Sequence, residues 1–477
     1  MIAILLKIFI LEGISKMKKF LMIFLAVLLI VSFSLVGMGC KSTATETTAA
    51  AGETTEAASE TTGAAAETTA TAGEIVLKIA DWQNGNQGIL DSYNALAEIF
   101  AKENPGVKID YQQYTVTTFN EFLKPAIASG TAPDIFGVYP GPDVKEVADS
   151  GALLDLTPLI DDEWKSWLGA AYDFKGIKYN DKIWIVPQDV WTECMWYHKD
   201  MLKEIGFEAK PNTEAYTIEE LASMVGPAKA KGYDVILAGF VETWCYYDVF
   251  FNFVHQQQKA GDADLIEEAM SGKVTWQQDA FKNAFNAFVK LNDSGVWRKD
   301  VFNMDYQVQA FGKWLERESI FMWAQGDWFA SAMKPEENSA DNPNIGIIQY
   351  PMVNDTSEVV FNKNFGTDLG AYVKGKNVDL AVKWLRLTNS PEAAKIFMSN
   401  GVNPAAGADL NNLPEIPNPV LKDCITLYNT PGTQSEVYYM YPDAVKALGD
   451  GIGGLLLGTD NLDNILKNLD TVCGFKG

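Results

Sequence analysis

Histidine is almost missing from this chain. His198 and His255 are the two in 477 residues, so a metal centre built from a histidine cluster is excluded. Cysteine is sparse as well, five in all, with no C-x-x-C pair. Beyond Cys40, the four that remain (Cys194, Cys245, Cys424 and Cys473) are too few for a disulfide framework in so long a chain. They read more simply as small buried hydrophobes. Basic residues are outnumbered, 38 against 62 acidic ones, for a net charge of −24. Such a surface repels phosphate backbones and argues against nucleic-acid binding. No G-x-S-x-G, H-E-x-x-H, P-loop or EF-hand loop occurs. Gly449 to Gly454 satisfies G-x-G-x-x-G, but it follows the helical stretch Ala444 to Leu448 rather than a strand, which predicts a helix-ending loop. Neither a catalytic group nor a metal or other cofactor is expected.

What is abundant is aromatic: 13 Trp, 18 Tyr and 25 Phe. Apolar residues make up 47% and charged ones 21%, a globular balance that excludes a disordered, collagen-like or multi-span membrane chain. The length sets an expectation of two large folding units or about three ordinary ones.

The first 39 residues read as a signal peptide. Lys18 and Lys19 precede an apolar run from Phe20 to Val31, and Ser32 to Gly39 leads to Cys40. Met17 opens a complete signal of its own and is the expected true start. An uncleaved helix is the other reading, since Phe20 to Gly37 is just long enough to span a bilayer. Residues 41–73 hold 11 Thr, 11 Ala and 5 Glu with no large apolar side chain. Glu-Thr-Thr recurs at 46, 53, 60 and 67, a heptad without apolar a and d positions, hence no coiled coil. Nothing there offsets the entropy of ordering it, which predicts a disordered tether of roughly 30 Å root-mean-square span. Removing residues 1–39 leaves 34 basic and 61 acidic residues, a net −27.

From residue 74 the pattern becomes α/β. Ile75, Leu77 and Ile79 alternate as a strand ending at Asp81-Trp82-Gln83. Tyr93, Leu96, Ile99 and Phe100 follow at helical spacing, and Pro105-Gly106 stops that helix. Val107 to Tyr111 predicts the next strand, Phe119, Leu123 and Ile127 the next helix, and Asp134 to Val138 a third strand. This order implies right-handed βαβ units on a parallel sheet, whose ligands gather beyond the carboxyl ends of the strands, here Trp82, Gln83 and Tyr139. Further helices are expected at Ile218 to Lys231, Asp279 to Asn292, Tyr306 to Glu318, Val378 to Thr388 and Pro391 to Met398. Strands are expected at Lys182 to Val186, Val235 to Phe240, Ser319 to Trp323 and Ile345 to Ile348.

Several segments, in order, resemble family 1 bacterial extracellular solute-binding proteins, the group containing maltose-binding protein. Ser129-Gly130-Thr131-Ala132-Pro133-Asp134-Ile135 is similar to that family's Gly-x-x-Pro-Asp stretch. Lys178-Tyr179 through Ile185-Val186-Pro187 resembles its Lys-x-Tyr-x-x-Pro segment. Tyr197-His198-Lys199-Asp200 resembles its Tyr-Asn-Lys-Asp step, with His198 where Asn is usual. Met322-Trp323 through Gly326-Asp327-Trp328 resembles the Gly-x-Trp segment, and Ala381 to Met398 the step from helix through Ser-Pro-Glu to helix. Leu35-Val36-Gly37-Met38-Gly39-Cys40 resembles a bacterial lipobox, which implies lipidation of Cys40.

The resemblance implies a periplasmic-binding-protein fold, two α/β lobes joined by three crossings near Pro187 to Trp191, Gln349 to Met352 and Gly401 to Gly407. The expected organisation is a signal peptide over 1–39, the lipidated Cys40 and tether over 40–73, a first lobe from 74–188 plus 350–404, and a second from 189–349 plus 405–477. It also implies capture of a sugar or oligosaccharide for an ABC importer, with permease subunits as partners, a lipid anchor to the outer face of the bacterial membrane and a monomeric state. A secreted glycan-active enzyme and a tethered glycan-binding sensor or adhesin are the competing readings.

Sugars present C–H faces and hydroxyl edges, so their sites need flat rings with amide and carboxylate partners. Trp82 and Gln83 sit in a polar turn, and Gln188, Asp189 and Trp191 at the proposed crossing, where hinge packing is the plainer role. Trp244 and Tyr246, in a stretch that also holds Tyr247, crowd too many rings for one helix interior. Trp323, Asp327 and Trp328 join a strand end to a helix start, where Asp327 is equally placed to be an N-cap. Asp368 lies at a strand entry and Tyr441 in a tyrosine-rich run; each has a turn or packing role as its plainer reading. Mass analysis of the mature protein tests the N-terminus: a diacylglyceryl group on Cys40 is expected, and a chain starting elsewhere excludes it.

Overall fold

The computed structural model describes residues 74–259, 262–407, 416, 418–431, 434–435 and 441–477. The signal, Cys40 and the tether lie outside the described residues. Twelve strands build the two larger sheets: β1 (Ile75–Asp81), β2 (Val107–Gln113), β3 (Ile135–Gly137), β4 (Val186–Pro187), β5 (Val190–His198), β6 (Ala215–Thr217), β7 (Asp234–Leu237), β8 (Ser319–Gly326), β9 (Ile345–Met352), β10 (Phe361–Phe365), β11 (Asp368–Ala371) and β12 (Gln434–Ser435). Four helices matter to the cleft and its support: α1 (Gln87–Glu103), α2 (Val116–Ser129), α3 (Trp244–His255) and α4 (Pro442–Leu457).

The first sheet runs β2-β1-β3-β11-β4. Its first three strands are parallel, and β11 enters antiparallel to β3 and β4. The βαβ expectation is met here, since α1 and α2 return the chain between parallel strands. In α1 the buried Ile89, Tyr93, Leu96 and Phe100 recur every three or four residues, one stripe that packs on the sheet. Asn86 caps its start by accepting the Ile89 N–H at 3.2 Å, and Pro105 follows its end. Thr115 and Thr118 form a capping box at the start of α2, and Gly130 at φ 75° closes it.

The second sheet runs β12-β10-β5-β8-β7, with β9 on the other half of β5 and β6 beside β9. It covers a core far richer in rings, among them Phe250, Phe253, Trp276, Phe281, Phe285, Phe288, Trp314 and Trp323. Burying each such ring stabilises the lobe by roughly 1.5–3 kcal/mol before side-chain entropy is subtracted. Each sheet has its own apolar cluster, so the fold is two α/β lobes.

The lobes are joined by chain segments that lie side by side. β4 passes into β5 through Gln188 and Asp189, and β10 passes into β11 through Gly366 and Thr367. The Gln188 N–H donates to the Thr367 carbonyl at 2.8 Å, and the Gly366 N–H to the Asp189 carbonyl at 2.7 Å. A third segment, Asn403 to Ala405, runs along the other edge. There the Val190 N–H reaches the Asn403 carbonyl at 2.9 Å, and the Ala405 N–H reaches the Gln188 carbonyl at 3.1 Å.

The second crossing therefore differs from the expected Gln349 to Met352. Those residues finish β9 in the second sheet, and the chain stays in that lobe through β10. Its register of Asn362 opposite Glu193 through Phe365 opposite Val190 satisfies the half of β5 that β9 leaves unpaired. The second lobe accordingly holds 350–365, assigned to the first by the sequence, while Ala406 belongs to the first lobe's core.

Other expectations shift locally. Tyr306 to Glu318 splits into a π turn over Tyr306–Ala310 and a short helix over Phe311–Leu315. The G-x-G-x-x-G stretch lies inside α4 instead of ending it. A side chain on Gly449 would meet Thr243 at 2.9 Å and one on Gly451 would meet Ile465 at 2.6 Å, so these glycines serve close packing. Among the described residues no helix is long and apolar enough to cross a membrane.

Cys194, Cys245 and Cys424 are buried and Cys473 half-buried, all four as free thiols. The melting temperature is expected to be the same with and without dithiothreitol; a fall on reduction would show a bridge that this packing lacks.

Candidate functional site: the cleft between the lobes

The first lobe contributes a ring platform at the carboxyl end of its sheet. Trp82, half-buried in the turn after β1, stacks on Tyr139 with centroids 3.9 Å apart and planes 15° from parallel. Phe119 meets its edge at 5.6 Å. Gly137 is required beneath it, because an added Cβ would come within 2.6 Å of the indole. Gln83 donates its backbone N–H to Asp81 Oδ1 at 2.9 Å and its side-chain amide to the Thr367 hydroxyl. The platform is thereby tied to the second crossing.

The second lobe supplies the opposing wall. Trp244 at the start of α3 meets Tyr306 edge-on at 4.7 Å and Trp328 at 5.9 Å, and Trp191 meets Trp328 at 5.8 Å. All three indoles are half-buried. Trp328 donates its indole N–H to the Tyr306 hydroxyl at 3.1 Å, and that hydroxyl donates to Gln325 Oε1 at 2.5 Å. Tyr247, on the same helix, lies near Tyr139 of the first lobe. At the rim, Gln307 Nε2 donates to the Asn84 carbonyl across the cleft at 3.0 Å.

The floor is acidic. Asp189 Oδ1 accepts the Thr367 N–H at 2.5 Å. Gly366 leaves that carboxylate room, since a Cβ there would lie 2.5 Å from the same oxygen. Asp327 accepts the Thr192 N–H at 3.3 Å and the Asn403 side-chain amide at 3.2 Å. It therefore pins the third crossing to the second lobe, and it makes no N-cap bond. Burial pushes Asp189 to about 7 and Asp327 to about 8, each against its hydrogen bonds. Asp81 is likewise raised to about 7 by burial, although it accepts the Tyr111 hydroxyl at 2.8 Å. Glu193 and Asp248 lie against each other in the second lobe. Burial raises both, and the neighbouring Glu193 adds to the rise of Asp248. Tyr350 donates its hydroxyl to Glu193.

The pattern called bacterial extracellular solute-binding protein matches residues 85–395, well over half of the chain. The chain belongs to that family. The Multiple sugar-binding protein of Streptococcus mutans is 26% identical over 260 residues, 53% of this chain and 57% of that protein. An uncharacterised ABC transporter extracellular-binding protein of Pyrococcus horikoshii is 23% identical over 285 residues, 58% of this chain and 61% of that one. The chain thus spans about three fifths of the length of these curated relatives. Among solved structures, the GacH receptor of Streptomyces glaucescens superposes with a TM-score of 0.67 at 20% identity, over 84% of this chain and all (100%) of that one. A protein solved in work on xylan utilization by Caldanaerobius polysaccharolyticus gives 0.70 at 18%, over 83% and 99%. These likenesses carry the two-lobe fold.

In this solute-binding protein, the cleft brings together Trp82, Gln83, Tyr139, Asp189, Trp191, Trp244, Asp327 and Trp328 of the residues singled out from sequence. The others lie elsewhere. Tyr246 packs on Phe240 at 5.1 Å in the second core; one helix face carries Trp244 and Tyr247, three residues apart, and Tyr246 turns away from it. Trp323 is fully buried and donates its indole N–H to the Cys245 carbonyl at 2.8 Å. Its strand β8 is covered on both faces, so alternation exposes nothing. Asp368 is fully buried within the first sheet, and Gln188 is buried with its amide on the Val186 carbonyl at 3.2 Å. Tyr441 is half-buried ahead of α4 and packs against the second lobe's core. Tyr306, Gln325, Glu193 and Asp248 were missed. Asp248 directly follows Tyr247, but nothing in the sequence marks the other three.

These acids set a pH dependence. A carboxyl raised from an ordinary value near 4 binds its proton more tightly folded than unfolded. The resulting stabilisation is complete below about pH 4 and is lost as pH climbs through 7 to 8. Thermal stability is expected to fall between pH 5 and pH 8.5, and Asp327→Asn is expected to flatten that slope. A melting temperature that holds or rises over the interval would contradict the burial of these acids.

Proposed function

We propose that this chain is the lipid-anchored substrate-binding subunit of an ABC importer and captures a sugar or oligosaccharide by closing its lobes. The observation that carries the reading is the pairing of two ring surfaces across one cleft with polar groups behind them. Trp82 on Tyr139 offers a flat face for the C–H side of a pyranose, and Trp244, Trp328 and Trp191 offer edges and faces opposite. Gln325 Nε2 and Asp248 Oδ1, buried without a hydrogen-bond partner among the described residues, are a donor and an acceptor for hydroxyls. The three crossing segments serve as the hinge, and the ligand favours the closed state by touching both walls.

Supporting relatives are the Streptococcus mutans Multiple sugar-binding protein, the GacH receptor solved with acarbose and an acarbose homolog, and a chitin oligosaccharide binding protein at a TM-score of 0.69. The lipobox ending at Cys40 supports anchoring outside the cytoplasm, with the Thr/Ala/Glu segment as tether. Capture without turnover is favoured over glycan cleavage by the chain's membership of the extracellular solute-binding family.

Tryptophan fluorescence of residues 74–477, titrated with maltotriose, cellotriose, chitotriose and raffinose and with amino-acid and peptide controls, tests the reading. A saturable change with one glycan class, with the glycan recovered intact, is expected. Trp82→Ala is expected to weaken that binding by roughly tenfold or more. Cleaved glycan would make the protein an enzyme, and a response confined to the peptide controls would remove the sugar assignment.

A further inference from the structure

Strand β8 reaches Gln325 and Gly326 through an irregularity. Its pairing with β5 steps from Met322 opposite Trp196 to Gln325 opposite Cys194. That is three residues against two, so one extra residue bulges out of the ladder. Regular alternation would put Gln325 on the face of Trp323, two residues before it. The extra residue puts it on the opposite face, with Met322 and Cys194. Ala324 makes the turn at φ 53°, in the left-handed region that a residue with a Cβ rarely occupies. Such backbone persists where the surrounding structure over-determines it, commonly at sites of function.

The turned side chain ends a run of hydrogen bonds whose direction is fixed. The Gly326 N–H can only donate, and it lies 2.9 Å from Gln325 Oε1, which identifies that atom as the amide's acceptor. The Trp328 indole N–H can only donate as well, and it reaches the Tyr306 hydroxyl at 3.1 Å. The hydroxyl accepts it and gives its own proton to Gln325 Oε1 at 2.5 Å. Tyr306 is held from behind. Its backbone N–H donates to Glu242 Oε2 at 2.8 Å, and Asp305 Oδ1 accepts the Val308 N–H of the π turn at 2.7 Å. A side chain on Gly239 would run into the Tyr306 backbone, and one on Gly326 into the Trp328 indole. Trp328 therefore lies over a glycine with its one polar atom drawn toward Tyr306 and Gln325. It is also the ring that Trp191 and Trp244 both meet edge-on, at 5.8 and 5.9 Å.

We infer that Gln325 is a positioning residue for the second lobe's ring wall: acting through Tyr306, its amide oxygen sets the plane of Trp328 and so the faces the wall offers a sugar. The inference rests on the sugar-binding reading of that wall and names what orients it. The Trp328 N–H and the Tyr306 O–H are both committed within the chain. These two groups thus meet a ligand as ring edges and faces, not as donors. Stacking needs the plane of a ring as well as its place, so releasing the N–H weakens binding without emptying the wall.

Trp328 reports on its own placement. In protein with isotopically labelled tryptophan nitrogen, its indole N–H resonance is assigned by its loss in Trp328→Phe. Gln325→Met keeps the length of the side chain and removes the acceptor; Tyr306→Phe removes the hydroxyl alone. Without ligand, each is expected to shift the Trp328 resonance, although the Gln325 oxygen bonds Tyr306 and not the indole. The Trp323 resonance is expected to stay, because its N–H donates to the Cys245 carbonyl. A Trp328 resonance unmoved by Gln325→Met overturns the inference. So does a Trp323 resonance that moves as far, since the amide would then be packing the strand. With whichever of maltotriose, cellotriose, chitotriose and raffinose binds, Gln325→Met is expected to weaken binding by about tenfold. The double variant is expected within about twofold of Gln325→Met, because Tyr306→Phe then has nothing left to remove. Losses that multiply would show two independent residues and overturn the inference. If none of the glycans binds, the sugar reading fails, while the two resonances still decide whether Gln325 positions Trp328.

Discussion

The fold hangs on the hydrogen bonding of three chain segments at Gln188-Asp189, Gly366-Thr367 and Asn403 to Ala405. Each lobe has its own sheet and its own core, so either is built without the other. What relates them is a narrow ribbon of backbone hydrogen bonds, reinforced by two buried carboxyls. Asp189 holds the Thr367 N–H at 2.5 Å, and Asp327 holds Thr192 of the second lobe and Asn403 of the third segment. Removing either acid's acceptor strands buried N–H donors, which costs more than the bonds themselves contribute. A ribbon so thin can twist while both cores stay packed, which is the mechanical requirement for a cleft that opens and shuts.

The same acids connect stability to recognition. Buried carboxyls without basic partners keep their protons to unusually high pH, so the closed body is held partly by neutral acids donating and accepting hydrogen bonds. Such a floor resembles a sugar in chemistry: hydroxyl-like groups around apolar rings. The chain's surplus of acid, 62 against 38, is thus not confined to a solvated surface. Part of it is buried beside the crossings, as carboxyls that burial holds well above their ordinary range.

Much of the first lobe was legible because its signals are local. Ile75, Leu77 and Ile79 alternate, the helix that follows repeats every three or four residues, and Gly-rich turns separate them, so strand ends and therefore Trp82, Gln83 and Tyr139 could be placed. The second lobe was read less well. Its central strands β5 and β8 are buried on both faces, so they carry no alternation, and Trp323 looks in sequence like a cleft residue while it is packed in the core. Tyr246 and Trp244 differ by two positions and cannot be told apart until the helix phase is known. The second crossing was misplaced for a related reason: Gly366 and Thr367 have no pattern of their own, and β10 belongs to the second lobe through the strand it pairs with.

By itself the sequence determined the class of the molecule: an α/β body whose segments, in order, resemble one family, behind an N-terminus patterned like a signal peptide and a polar stretch without apolar positions. Those properties depend on composition, periodicity and short motifs, all of which are local. Which rings face each other, which acids are stripped of water and where the chain changes lobes were decided by the tertiary structure alone. Glu193 and Asp248 are 55 residues apart and Asp189 and Thr367 are 178 apart. Such pairs acquire their meaning from long-range strand pairing and burial, and no local signal in either member announces the other.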